Sequence, residues 1–241
     1  MDDCQVGDRG RVIRRLRDRV RFAGREVRCP VCEGRFGRFR LTEGGPLELE
    51  CPRCGSRPRQ RLLWLYLSAE RLLASRGLRI LHLAPERCIE RRLRSLEGAD
   101  YVTVGIENPL ADVRADCTAL PFEDASFDRI LCSNVLEGAP DDAKAMSELR
   151  RVLAEDGLAV IQAPVNHELE RTVDVGGLRA YGPDLEERLR GAGFRVHVAR
   201  YADEMDTLAA ERHGVIAQHG PLRNDLYLCQ VPRADPRPGA V

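Results

Sequence analysis

Lysine is almost absent from this sequence, and long apolar runs are missing altogether. Lys144 is the single lysine, so the other 37 basic residues are arginines, a bias that by itself says little about binding partners. The longest apolar stretch, residues 62–69, is far shorter than the roughly 18 residues that a membrane helix needs. The acidic start at residues 1–4 lacks a hydrophobic signal core. We therefore predict a cytoplasmic protein with no membrane segment.

Aromatic residues are also scarce, at 5%, and charge of either sign shows no excess, with 38 basic and 38 acidic side chains. That balance hides an asymmetry, because residues 1–61 hold 16 arginines against 9 acids, a net charge of +7. The remaining chain carries −7. Apolar residues make up 43% of the 241, which suffices for a core and argues against wholesale disorder. The length suits one large domain with a small module.

Nine cysteines are present, and in a reducing compartment they are expected to be thiols or metal ligands rather than disulfides. Four of them form two CxxC pairs, Cys29 with Cys32 and Cys51 with Cys54, separated by 18 residues. This spacing lets four thiolates surround one ion in a tetrahedron. We predict a structural Zn²⁺ in a zinc ribbon, with no open coordination position for catalysis.

The rest of the chain alternates between short apolar runs and amphipathic stretches. A helix is predicted over residues 58–76, and strands are predicted at residues 79–84, 101–106, 128–133, 157–162, 194–199 and 226–231, with helices between most of them. This alternation predicts an α/β fold with a mostly parallel sheet. We predict an Arg-rich segment with the ribbon over residues 1–57, a main domain over 58–231, and a disordered tail over 232–241.

Four segments carry a resemblance to a known family. Residues 116–128 read DCTALPFEDASFD, residues 133–137 read SNVLE, residues 148–153 read ELRRVL, and residues 81–86 read LHLAPE. Together they resemble class I S-adenosylmethionine (SAM) dependent methyltransferases of the type 11 kind, and the CxxC pairs are similar to a subgroup with an N-terminal zinc ribbon. The resemblance implies a Rossmann-like fold with a mostly parallel seven-stranded sheet, and SAM or S-adenosylhomocysteine (SAH) as the cofactor.

The same resemblance assigns roles to individual residues. It implies that Asp116 accepts a hydrogen bond from the adenine amino group, and that Glu137 stands beside the methyl group and the substrate. The residues that it implies for cofactor binding are His82, Ala84, Pro85, Glu86, Glu107, Asp116, Cys117, Ser133 and Asn134. Those that it implies for catalysis are Glu137 and Asp116, the latter by holding adenine or by orienting the substrate.

The sequence departs from the family pattern at several of these places. The usual glycine-rich turn after the first strand is absent, and Gly105 replaces the acid that normally holds the ribose, with Glu107 as a candidate substitute. Gly138 stands where the family has histidine, which removes a convenient general base. The segment 167–181 is short, so we expect an open pocket and a possible accessory protein chain that closes it.

Three functions stay open at this point. The first is an enzyme acting on a small-molecule amine, either by methyl transfer or by displacement within the substrate that closes a ring. For ring closure the chain also resembles the methyltransferase-like, aziridine-forming proteins of azinomycin biosynthesis, in which case SAM or SAH is only a bound ligand and Glu137 deprotonates the amine. The second is a ribosomal RNA methyltransferase whose basic segment grips phosphates. The third is a non-catalytic SAM-binding scaffold.

Overall fold

The computed structural model describes residues 17–18, 20–42, 49–215 and 222–232. Most of the tail predicted over residues 232–241 lies outside the described residues. The helices are α1 (Pro58–Ala69), α2 (Arg87–Leu93), α3 (Asp142–Val152), α4 (Leu185–Gly191), α5 (Tyr201–Glu204) and α6 (Thr207–His213), with a 3-10 turn at Leu136–Gly138. The strands are β1 (Val27–Arg28), β2 (Arg35–Phe36), β3 (Arg40–Leu41), β4 (Leu49–Glu50), β5 (Arg79–Leu83), β6 (Asp100–Val104), β7 (Phe127–Ser133), β8 (Leu153–Gln162), β9 (Val165–Asn166), β10 (Val173–Val175), β11 (Leu178–Ala180), β12 (Arg195–Ala199), β13 (Leu222–Arg223) and β14 (Leu226–Gln230).

The chain forms two compact units. The first takes in the described residues up to Leu72 together with those from Ala202 to Val215, and the second takes in the rest. Helix α1 therefore belongs to the first unit, although the boundary expected from sequence placed it in the main domain. Helix α1 also ends at Ala69, seven residues earlier than predicted. The chain leaves the helical conformation there, since Arg71 has a left-handed backbone with φ of 53°.

The first unit is built around two small antiparallel hairpins. Strand β1 pairs with β2 across the first CxxC turn, and β3 pairs with β4 just before the second. Helix α1 begins with Pro58 at its first turn, where a missing N–H costs nothing, and the Gln60 side chain accepts a hydrogen bond from Arg57 N at 2.7 Å. At helix α6 the roles are reversed, because the side chain of the N-cap residue Asp206 accepts a hydrogen bond from Ala209 N at 3.1 Å.

Arg61 of helix α1 joins the N-terminal and C-terminal parts of the first unit. Its side chain is fully buried, and its guanidinium lies over the Phe39 ring at 4.1 Å. It donates to the carbonyl oxygens of Leu49 at 2.9 Å, His213 at 2.8 Å and Gly214 at 2.8 Å, and also to that of Ser56. Burying this charge is tolerable because so many of its N–H groups find carbonyl partners. The carbonyls bonded by Arg61 thus link α6 to the cysteine-bearing hairpins.

The second unit holds the central sheet, whose strand order is β12-β14-β8-β7-β5-β6. Strands β5 to β8 are mutually parallel, and β14 runs antiparallel to both of its neighbours. Helix α3 packs Met146 and Leu149 onto one face of the sheet. It begins at the cap Asp141, which accepts from Lys144 N at 2.9 Å, and ends with two arginines that complement its dipole.

The predicted α/β class with a mostly parallel, Rossmann-like sheet is thus confirmed, but the expected seven strands are six among the described residues. A seventh position beside β6 is reduced to a single bridge between Val104 and Val113. Backbone hydrogen bonds from Val113 N to Thr103 O at 2.9 Å and from Gly105 N to Val113 O at 3.1 Å remain. The Asp112 carboxylate accepts from Thr103 N at 3.0 Å, so a side chain takes one position of the ladder. Within the described part of the chain, no helix combines the length and the apolar character that crossing a membrane requires.

Candidate functional site

The predicted cofactor residues cluster where the parallel strands β5, β6 and β7 end. Strand register aligns Leu83 with Val104 on one side and with Cys132 on the other, so Ala84, Gly105 and Ser133 come next to one another. Two non-glycine residues here have left-handed backbones, Ala84 with φ of 45° and Asn134 with φ of 54°. Strained backbone of this kind concentrates at functional sites. In open α/β sheets, ligands bind at this edge.

The loop after β6 forms one wall of the candidate site. Asn108 braces it, since its Nδ2 donates to Pro85 O at 3.0 Å and its Oδ1 accepts from Leu110 N at 2.9 Å. A Cβ at Gly105 would stand 3.0 Å from Asn108 Cβ, so a larger residue there would press on the side chain that braces the loop. Glu107 is exposed and lines a groove of about 380 Å³ together with Arg114. Glu107 thus lies two residues beyond Gly105, the position at which the resemblance predicts an acid.

Asp116 is held in a tight turn that keeps its carboxylate ionised. Its Oδ1 accepts from Thr118 N at 2.8 Å and from Thr118 Oγ1 at 2.9 Å. The backbone bond from Thr118 lowers the pKa of Asp116, and the Thr118 hydroxyl and the Cys117 thiol act in the same direction. Burial raises the pKa of Cys117 to about 11, so this neighbour stays a neutral thiol. Asp116 is therefore a fixed acceptor at neutral pH.

Helix α3 clamps the loop that carries Asp116. Glu148 Oε2 accepts from Leu120 N at 2.8 Å, and Arg151 donates to Phe122 O at 2.8 Å and Leu120 O at 3.0 Å. Arg151 also pairs with Glu148 and with Asp124, each at 2.8 Å. The family-like ELRRVL segment thus has a positioning role that its sequence did not reveal. The sequence shows only that an acid and an arginine three residues apart share one helix face, which does not indicate the loop that they bind.

Glu137 lies in the 3-10 turn that directly follows β7, half-buried beside Gly138. A Cβ at Gly138 would stand 3.8 Å from Leu178 Cδ2, so the space of the missing histidine side chain borders the hairpin β10–β11. Ser133 and Asn134 come just before this turn. Ser133 is buried and donates to Gln162 Oε1 at 2.9 Å, which links the ends of β7 and β8. Glu137 is thus brought to the same edge as Asp116 and Ala84.

Not every predicted residue faces the candidate site in the same way. His82 is completely buried inside β5, where its Nδ1 lies 2.8 Å from Tyr101 Oη. Burial lowers the pKa of His82 to about 3, so the imidazole is neutral. Its side chain packs inside the sheet. Pro85 is buried as well, and Glu86 occupies the N-cap position of α2 without a side-chain cap. Within residues 82–86, it is therefore the backbone of Ala84 that lies at the carboxyl end of β5.

In the first unit, the four predicted metal ligands come together. The Sγ atoms of Cys29, Cys32, Cys51 and Cys54 all lie within 4.8 Å of one another. Cys29 Sγ is 3.7 Å from Cys54 Sγ, and Cys32 Sγ is 3.6 Å from Cys51 Sγ. Four thiolates at about 2.3 Å from a tetrahedral zinc would be roughly 3.8 Å apart, so the spacing fits that ion.

The backbone around these cysteines supports the same conclusion. Each CxxC turn is closed by an amide, with Cys29 N donating to Gly34 O and Cys51 N to Ser56 O, both at 2.9 Å. Each turn is followed by a left-handed residue, Glu33 in one and Gly55 in the other. Ser56 Oγ lies 3.2 Å from both Cys29 Sγ and Cys54 Sγ. A buried hydroxyl beside two sulfurs supports thiolate character, as a structural metal site needs.

Comparison with known sequences agrees with this arrangement. Residues 83–161 match the family described as a methyltransferase domain. An uncharacterized methyltransferase of Mycobacterium sp. (strain JLS) is 43% identical over 74 residues, 28% of this chain and 29% of that protein. Malonyl-[acyl-carrier protein] O-methyltransferase of Halorhodospira halophila (strain DSM 244 / SL1) is 32% identical over 98 residues, 39% of this chain and 28% of that protein. The chain spans less than a third of the length of these two relatives.

Two solved structures share the fold. The [4+2]-cyclase SpnF superimposes with a TM-score of 0.55 at 18% identity, covering 82% of this chain and 87% of that one. A putative sarcosine dimethylglycine methyltransferase from Galdieria sulphuraria does so with a TM-score of 0.50 at 15% identity, covering 69% and 84%. At these identities the likeness concerns the fold alone.

Proposed function

We propose that this chain, a class I methyltransferase-fold enzyme, binds SAM or SAH at the carboxyl edge of β5, β6 and β7 and acts on a small-molecule amine. The observation that carries the proposal is the fixed, ionised Asp116 at this edge, inside the matched methyltransferase domain. An ionised carboxylate is an acceptor only, which suits the amino group of adenine. Glu107 in its groove would meet the ribose, and the strand end at Ala84 the amino-acid part.

When bound, SAM supplies an electrophilic methyl group. The residues of this chain then have to align the amine and remove its proton, since displacement mainly requires the reacting atoms to be in line. Glu137, at the end of β7, would take the proton from the amine nitrogen in place of the absent histidine at position 138.

The same site would serve ring closure within the substrate. The amine nitrogen would form a bond to a substrate carbon while the bond from that carbon to a leaving group breaks, and Glu137 would again take the proton. That a [4+2]-cyclase shares this fold makes ring closure worth testing beside methyl transfer. Ring closure consumes no SAM, so the two chemistries differ in a measurable way.

Calorimetry with SAM and SAH tests the binding site first. We expect Asp116→Ala to weaken SAH binding at least tenfold, because it removes the adenine acceptor, while exposed Glu123→Ala on the same loop leaves the affinity unchanged. If the wild-type protein binds neither ligand, the proposal is wrong.

Candidate amines incubated with methyl-labelled SAM separate the two chemistries. Label in the product establishes methyl transfer, whereas ring product without SAM consumption establishes ring closure. Glu137→Gln should lower turnover and leave SAH affinity unchanged. Wild-type turnover in Glu137→Gln would remove Glu137 from the mechanism.

We also propose that the four cysteines hold a structural Zn²⁺, for which the sulfur spacing is the support. The need for an accessory protein chain stays a prediction.

A second candidate function, RNA methylation, is favoured by one feature of the first unit. A groove of about 500 Å³ is lined by Arg17, Arg21, Arg40 and Arg57. Arg40 is already paired with Asp18 at 3.4 Å and with Glu50, which weakens the groove as a phosphate site. A salt-sensitive gel shift with bulk RNA, lost in Arg17→Ala/Arg21→Ala, would support this function, and no shift at low salt would exclude it.

A further inference from the structure

The exposed apolar side chains of the second unit gather at one edge of the sheet. In the part of this unit that the structure describes, the large apolar residues with the highest exposure are Ile106, Val173, Val175, Leu178 and Leu222. Ile106 follows β6, and Leu222 pairs with Asn166 just beyond the end of β8. The other three lie on the hairpin β10–β11. All five therefore belong to loops at the edge that carries Asp116 and Glu137. Exposed apolar side chains that lie next to one another, as those of the hairpin do, commonly mark a binding site.

The hairpin presents one apolar and one polar face. Its two central turn residues, Gly176 and Gly177, have φ of 63° and 86°, the left-handed pair that a two-residue hairpin turn needs. Register places Val175 opposite Leu178, and Val173 opposite Ala180, so these four side chains share a face. Asp174 stands opposite Arg179 on the other face.

The polar face fixes the hairpin beside Glu137. Arg179 donates to Ala139 O, to Pro140 O at 3.1 Å, and to the Asp142 carboxylate at 3.2 Å. Asp142 is buried and also accepts from Tyr181 Oη at 2.9 Å and from Arg188 at 2.6 Å. Three donors on one buried carboxylate make a rigid base for the hairpin. The hairpin is therefore held in one position, with its apolar face exposed.

We propose that the hairpin face formed by Val173, Val175 and Leu178 binds the apolar body, an aliphatic chain or an aromatic ring, of the small-molecule substrate. The proposal rests on the proposed function, because it places that body next to Glu137, the group that receives the proton of the amine. Leu178 lies next to the space left by Gly138, so the hairpin is adjacent to the place proposed for the amine end of the substrate. Three side chains make a face too small for a protein partner, since a stable interface takes about 800 Å² from each side.

Chain-length dependence of binding tests the apolar face. Titrate the full-length protein, saturated with SAH, with n-butylamine, n-hexylamine and n-octylamine, and repeat with the matching alcohols. We expect affinity to rise two- to fourfold per added methylene in both series, since a buried CH₂ contributes a factor of about four. The rise should vanish in Val175→Ser/Leu178→Ser and persist in Val20→Ser, which changes an exposed valine of the first unit.

The alcohols and the SAH titration keep the two proposals distinguishable. A rise with chain length for alcohols but no binding of SAH would overturn the proposed function and leave the apolar face standing, provided that the series is repeated without SAH. Equal slopes in wild type and Val175→Ser/Leu178→Ser would overturn the apolar face. Sedimentation gives a further check: if wild type is a dimer and Leu178→Ser a monomer, the face is an interface between copies, and the proposal is wrong.

Discussion

Single residues at the strand ends of this protein adopt backbone conformations that their side chains disfavour. Ala84 is left-handed with φ of 45°, at the point where related folds place a glycine-rich turn. A left-handed conformation costs a non-glycine residue roughly 1–2 kcal/mol. The fold tolerates this energetic cost at the point where the backbone leaves β5 and turns away from the candidate ligand-binding edge.

Replacing Ala84 by glycine should therefore stabilise the protein. We expect Ala84→Gly to raise the free energy of unfolding by about 0.5–1 kcal/mol, the relief of strain being partly offset by the larger entropy of the unfolded chain. The control Ala143→Gly, at an exposed position of helix α3, should lower it by about 1 kcal/mol. Urea denaturation measures both, and destabilisation by Ala84→Gly would show that this residue is not strained.

His82 makes the stability of the protein depend on pH. Burial lowers the pKa of His82 to about 3 in the fold, against about 6.5 when exposed. Between these values the unfolded chain binds a proton that the native protein does not, so stability falls as pH decreases through the window from 6.5 to 3. The contribution approaches about 1.4 kcal/mol per pH unit.

His82→Asn should flatten this dependence, because asparagine keeps a polar atom near Tyr101 but has no proton to gain. The exposed His197→Asn is the control and should keep the wild-type slope. Denaturation midpoints between pH 4 and 7 give the slopes. Parallel slopes for wild type and His82→Asn would mean that His82 is already protonated in the fold or is not buried.

At the scale of elements, the sequence predicted the strands and helices of the sheet closely, because each has a strong apolar period. It did not predict the contacts that hold the loops. Arg151 and Glu148 were visible only as a family-like segment, yet they bind the backbone of the loop after Asp116. Such partners lie some 30 residues apart, and a single sequence carries no signal for a side chain that caps a distant carbonyl. The seventh strand is limited by a local contact instead, since the Asp112 side chain accepts from the backbone N of Thr103.

The clamp on the Asp116 loop gives a prediction at this scale. Arg151→Lys keeps the charge but loses the planar fork that reaches two carbonyls and two carboxylates at once. We expect a loss of about 1–3 kcal/mol in stability and a roughly tenfold weaker affinity for SAH, both due to a loosened loop. Ser147→Ala, on the exposed side of the same helix, should change neither. Unchanged SAH affinity in Arg151→Lys would show that the loop keeps its position without this fork.

At the scale of the whole molecule, the first unit is assembled from two distant parts of the chain. Four carbonyl oxygens, from Leu49, Ser56, His213 and Gly214, converge on the buried Arg61. His213 Nδ1 lies 2.9 Å from Arg28 O, next to Cys29, the first of the four proposed metal ligands. Gly214 is needed at this junction, since a Cβ there would stand 2.4 Å from the Phe39 ring. The sequence pattern indicated the ribbon through its cysteines but gave no sign that residues 202–215 complete it, because a C-terminal helix has no spacing that ties it to a CxxC pair.

Metal removal should therefore loosen the C-terminal helix α6 as well as the ribbon. We expect one zinc per chain in the purified protein and none after prolonged chelation. Because Ser56 contacts two of the sulfurs and gives its carbonyl to Arg61, loss of the ion should release Arg61, and with it residues 207–214. Hydrogen exchange should show faster amide exchange in residues 29–56 and 207–214, while strands β5 and β7 keep their protection. Cys32→Ser should reproduce this pattern, whereas Cys88→Ser, at a cysteine outside the cluster, should retain the zinc and the protection of α6. If α6 keeps its full protection in zinc-free protein, the helix is held by Arg61 independently of the metal, and the ribbon and the C-terminal segment are uncoupled.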